Sequence, residues 1–132
     1  MVFPQITAVW LALLALLFAG LSLRVVALRA KGDVPFGDGG DDTLFRAIRA
    51  HGNFAEWVPL AALLVALLEM HGAAPALVHG FMGALFAARI AHPVAFTQPV
   101  TSKIYFVGRI FGALTTWAVV TGAAVLLLLR LL

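Results

Sequence analysis

Four long apolar stretches decide what this chain can become. They run from about Pro4 to Leu28, Leu44 to Met70, Ala74 to His92 and Ile104 to Leu129. A helix needs roughly 20 mainly apolar residues to cross a bilayer, and each stretch is long enough. Within hydrocarbon every backbone polar group must be satisfied internally, and uninterrupted runs of this length do so as helices. The expected fold is therefore an all-α integral membrane protein, a four-transmembrane-helix bundle forming a single domain over residues 1–132. Composition agrees: 63% of residues are hydrophobic and 11% charged, against about 45–50% and about 25% in soluble domains. The net charge is only +3, with no basic stripe, so a nucleic-acid partner is not expected. The chain has no cysteine, so its own residues offer neither a thiol nucleophile nor a disulfide.

The connections differ in character. The first, from Arg29 to Thr43, is rich in Gly and Asp; the second, His71 to Ala73, is a tight turn; the third, about Pro93 to Lys103, carries Pro93 and Pro99. Arg24, Arg29, Lys31, Arg46, Arg49, Arg89, Lys103 and Arg109 all lie beside the first and third connections. The positive-inside rule then places those two connections in the cytoplasm and both termini outside. The first stretch lacks a basic leader and its charges follow it, so it reads as a retained helix rather than a signal peptide.

The second stretch opens with an unusual polar face. Arg46, Arg49, Asn53 and Glu56 are spaced so that they share an arc of roughly 80° on a helix. Glu56 stands roughly 15 Å beyond Arg46 along the axis, inside the bilayer if the helix starts at the interface. A charge there must be paired and must face protein or water. Arg89 and His92 near the end of the third stretch, and Arg109 at the start of the fourth, fall at the same membrane face. Two compatible readings follow: an ion-pair network that fixes packing, or a pocket for a zwitterionic ligand, with arginines for carboxylates, Asn53 for an amide and Glu56 for an ammonium.

The segment from Arg46 to Pro59 resembles the second-helix signature of the MAPEG family, the membrane-associated proteins in eicosanoid and glutathione metabolism. That signature reads approximately R-x-x-R-A-x-x-N-x-x-E-x-x-P, and Arg46, Arg49, Ala50, Asn53, Glu56 and Pro59 all match it. Arg89-Ile-Ala-His92 and Arg109-Ile-Phe-Gly112-Ala-Leu-Thr-Thr116-Trp117 continue the likeness in order. The details are most similar to the small bacterial members, which implies a bacterial inner membrane location. The resemblance implies a homotrimer of four-helix subunits, binding glutathione as co-substrate between neighbouring subunits at the cytoplasmic side. Arg49, Asn53 and Glu56 would contact glutathione, with Arg46 close by, Arg89 flanking from the third helix and His92 supplying a polar contact. Arg109 would be the catalytic arginine, stabilising the glutathione thiolate for transfer to a lipophilic electrophile or reduction of a lipid hydroperoxide. Members of the eicosanoid branch carry tyrosines where this chain has Trp57, His92 and Phe96. That departure motivates the alternative, a non-catalytic lipid- or partner-binding membrane scaffold of the same fold. A small transporter using Glu56 and the arginines as a polar path is a third reading.

Other residues read as structural. His51 lies off the polar face and is expected to pack, His79 to sit in a core or interface, and Glu69 and His71 to be solvated loop ends. The Gly/Asp connection lacks calcium-loop spacing, so no metal is expected. Gly108 and Gly112, with Gly80, Gly83, Ala84, Ala87 and Ala88, read as close-packing positions. Pro59 is expected to bend the second helix by removing the bond to the Ala55 carbonyl.

Overall fold

The computed structural model describes residues 3–132. Among the described residues the elements are four helices: α1 (Gln5–Gly32), α2 (Asp42–Met70), α3 (Pro75–Phe96) and α4 (Lys103–Leu131). All four are long and apolar enough to cross a membrane. Helices α2 and α3 form the middle of the bundle. Helix α1 packs on both, and α4 packs on both from the other side, with its largest interface against α3. The core runs along this seam through Leu14, Phe54, Val58, Val65, Met82, Leu85, Val119 and Ala123. The large side chains left outside, such as Leu16 and Leu23 on α1 and Leu114 and Leu128 on α4, belong against lipid.

Local chemistry sets the helix ends. Helix α1 runs on to Gly32, past the expected end at Leu28, because Arg29 and Lys31 suit a helix C-terminus and Asp33 closes it in the left-handed conformation. Helix α2 starts at Asp42 because Asp41 accepts from the N–H groups of Thr43 (2.7 Å) and Leu44 (3.2 Å).

Helix α3 departs most from the sequence reading. Its helical backbone continues through Pro93 to Phe96, where the sequence suggests a loop. Pro93 cannot donate to the Arg89 carbonyl, yet the last turn is held by packing. A β-carbon at Gly108 of α4 would lie 2.8 Å from that of Ala95, and one at Gly112 would lie 2.9 Å from that of His92. Bare glycine backbone therefore lets α4 sit directly on the end of α3. The helix stops before Pro99, whose ring disfavours helix in the preceding residue.

Candidate functional site

The first turns of α2 carry the polar face, and its four members take different roles. Arg46 donates from Nε to Asp42 at 2.6 Å, one helical turn back, and from Nη1 to the Gln98 carbonyl at 3.0 Å. It thereby fastens α2 to the connection after α3. Arg49 and Glu56 form an ion pair, Nη1 to Oε1 3.7 Å, two turns apart on one face. Their side chains remain 48% and 54% exposed, so the pair keeps most of its hydrogen-bonding capacity unspent. Asn53 turns inward, and its Oδ1 accepts from Arg89 Nη1 at 2.7 Å.

Arg89 is the buried centre of this end of the bundle, with only 2% of its surface exposed. Besides Asn53 Oδ1 it reaches the Gly112 carbonyl (3.1 Å) and the Thr116 hydroxyl through Nη2, which draws α4 to the same point. Thr116 passes the bond on to the Gly112 carbonyl at 2.6 Å. One guanidinium thus ties three helices together, and all its partners are neutral.

A third group stands at the start of α4. Arg109 Nη1 donates to the Tyr105 hydroxyl at 2.8 Å. Its guanidinium lies over the rings of Tyr105 and Phe96, at 5.3 and 5.6 Å, and Arg46 approaches the same Tyr105 ring at 5.9 Å. Such cation–ring contacts hold the guanidinium without consuming its N–H groups. His92 meets Phe96 edge-on with centroids 4.8 Å apart and is itself 7% exposed, so it supports the aromatic group from behind. Arg46 of α2 and Arg109 of α4 thus meet about Tyr105, while Arg89 of α3 reaches α4 at Gly112 and Thr116.

Tyr105 is the residue that sequence reasoning missed. The chain's only tyrosine stands one helical turn before Arg109, and that i,i+4 spacing was the available signal. Its hydroxyl accepts from Arg109 and retains its own O–H for donation. The arrangement offers, on one side of the bundle, two accessible guanidiniums, a carboxylate and a phenol, which suit a ligand bearing both carboxylates and an ammonium group. Among the described residues no three His, Asp or Glu side chains gather as metal ligands.

The other end of the molecule corrects one expectation. Glu69 is no solvated loop end. Its carboxylate accepts from the N–H groups of Ile6 and Thr7, both at 2.8 Å, and from the Thr7 hydroxyl at 2.7 Å. The start of α1 has no side-chain cap of its own, and a carboxylate on α2 fills that role across the bundle. Nearby, Trp10 Nε1 donates to His79 Nδ1 at 3.1 Å; back towards the arginine end, His51 stacks on Phe18 with centroids 4.5 Å apart.

Comparison with known proteins adds two findings. The family model of the MAPEG family matches residues 7–129. The proteins named Inner membrane protein YecN from Escherichia coli K12 and from Escherichia coli O6:H1 are each 40% identical over 92 residues, covering 70% of this chain and 70% of the relative. No solved structure matches at a significant level.

Proposed function

The chain belongs to the MAPEG family, a family of membrane proteins linked to glutathione and eicosanoid metabolism, and from that premise we propose that it binds glutathione and activates its thiol. The observation that carries this reading is the Arg49–Glu56 pair, half exposed at 3.7 Å on a helix that crosses the membrane. Charges left open at that depth require protein, water or a polar ligand against them. A homotrimer supplies the protein: a neighbouring subunit laid against α2 closes the site and places its own α4 beside it. The cluster lies in the cytoplasmic leaflet, the termini lie outside, and the membrane is the bacterial inner membrane, as the distribution of arginines and the name of the Escherichia coli relatives support.

In this site Arg49 takes a ligand carboxylate, Glu56 the α-ammonium, and Arg46 adds charge at the rim. Asn53, oriented by Arg89, presents its amide N–H groups. His92 and Phe96 form the wall that holds Arg109 in place. Glutathione supplies the sulfur nucleophile. Arg109 favours the thiolate over the thiol because its fixed positive charge stabilises the anion. Tyr105 then has an O–H available for the oxygen or leaving group of a lipophilic electrophile delivered from the bilayer. In transfer, the thiolate forms a carbon–sulfur bond as the electrophile's leaving group departs; in peroxide reduction, it breaks the O–O bond to give an alcohol and a glutathione sulfenic acid, which a second glutathione converts to the disulfide and water.

The test is titration calorimetry of the detergent-purified protein with glutathione, combined with thiolate absorbance on mixing. Binding with a thiolate band that disappears in Arg109→Ala supports the proposal. The same thiolate band in wild type and Arg109→Ala removes the role assigned to Arg109. Binding with no thiolate band favours the non-catalytic scaffold, a reading motivated by the absence of tyrosines at Trp57, His92 and Phe96. Failure to bind at all ends the glutathione reading.

A further inference from the structure

A buried cation without a counter-charge identifies a second site. Arg89 is 2% exposed, and among the described residues the ion pairs are Arg46–Asp42 and Arg49–Glu56, neither of which involves it. Its Nε–H is also buried and has no partner there. A charge held this deep is ordinarily matched by an opposite one. Beside it lies a cavity of about 110 Å³ between α2 and α4, lined by Asn53, Trp57, Arg89, Ala113, Thr116 and Trp117. That is several times the roughly 30 Å³ that one water occupies in the liquid.

The polar groups around the cavity carry more free donors than they need for each other. Asn53 spends its oxygen on Arg89, which fixes the amide so that its two N–H groups are the free ones. Thr116 accepts from Arg89 and donates to the Gly112 carbonyl, so its one proton is committed. The indoles of Trp57 and Trp117 are donors only. A full positive charge, unspent N–H groups beside it and no carboxylate among the lining residues describe the surroundings of an anion.

We propose that the cavity between Trp57 and Trp117 binds a small monovalent anion, a halide or a carboxylate head, as the counter-charge of Arg89. The site goes beyond the glutathione reading and does not rest on it, although the two share Asn53, whose amide carries two N–H groups. Its occupant locks the junction of α2, α3 and α4 by neutralising the guanidinium that joins them. The Asn53 amide and Ala113, which also lines the hollow beside Tyr105 and Arg109, connect it to the open cluster.

The two flanking indoles provide the readout. Bromide titrated into the full-length protein in detergent should quench tryptophan fluorescence with a saturable component above the linear collisional one. Chloride should compete with it and raise the unfolding midpoint more than gluconate does at equal ionic strength. Ala113→Leu, which fills the cavity while leaving the bonds of Arg89 in place, should abolish the saturable component and the chloride effect. Arg89→Gln should weaken the apparent bromide affinity by about tenfold or more, as expected for the loss of a charged donor. Displacement of bromide by oleate would support the site and assign its anion to a lipid carboxylate; displacement by chloride alone would support it as a halide site. Strictly linear quenching, equal in wild type and Ala113→Leu, with chloride and gluconate acting alike, would overturn the proposal. Calorimetry with glutathione on Ala113→Leu keeps the two readings apart: intact glutathione binding with lost bromide saturation separates the sites, and the reverse result refutes this one.

Discussion

The two ends of the bundle both carry charge within membrane-crossing helices, and they handle it in opposite ways. At the Glu69 end one carboxylate meets three donors from the start of α1, and its hydrogen-bonding capacity is used within the chain. At the arginine end the donors outnumber the acceptors. Arg49 and Arg109 remain accessible, Glu56 is half exposed, and Arg89 has only neutral partners. A polar group whose needs are met internally is a fastening, whereas a surplus of one kind of group is a site. The comparison separates structure from function without reference to which residues are charged, since both ends contain charged residues.

Substitutions can break this contrast, beginning with the largest effect. Arg49→Ala should weaken glutathione binding by about 2–4 kcal/mol through loss of a charge-assisted contact and disruption of its pair with Glu56. Stability should move by less than about 1 kcal/mol, because the pair is half exposed. Calorimetry and chemical unfolding measure the two, and unchanged affinity would refute its assignment. Glu69→Ala should do the reverse. It removes three hydrogen bonds and a helix cap, for about 2–3 kcal/mol of stability, with glutathione affinity unchanged. A matching loss of affinity would dissolve the distinction between the ends.

Gly112→Ala tests the junction behind the site. Its new methyl group would come within 2.9 Å of the His92 β-carbon, so overpacking should cost about 1–2 kcal/mol in an unfolding measurement. The smallest effect is expected from Tyr105→Phe. Arg109 loses one neutral acceptor, worth about 1 kcal/mol in holding its guanidinium. Glutathione affinity should change only a few-fold, while the rate of conjugation to a lipophilic electrophile falls. An unaltered rate would show that the phenol takes no part in proton transfer.

Individual residues show how far the sequence could be read. The arginine face of α2 was legible because helical periodicity depends on spacing alone, and a backbone crossing a bilayer has few alternatives to a helix. Pro93 misled because its local penalty is offset by packing of α4 on the end of α3, including Gly108 against Ala95, a contact between residues 13 apart. Glu69 misled because its partners lie 62 and 63 positions away, and nothing around it in sequence distinguishes a cap from a loop end. Tyr105 was passed over because its importance comes from the orientation of Arg109 and the approach of Arg46, both of which are tertiary facts.

The sequence by itself determined that this chain is four membrane-crossing helices, because solvent and backbone hydrogen bonding leave no other economical arrangement, and it set eight of its nine Lys and Arg beside two of the three connections. Only the tertiary structure decided which of those cations are free. Asn53 and Arg89 share the polar signature with Arg49 and Glu56, yet the first two bond to each other inside the bundle, where Arg89 also reaches the Gly112 carbonyl, and the second two stay open. That division depends on which side chains meet across helices, and the distances between helices are set by packing rather than by spacing along the chain.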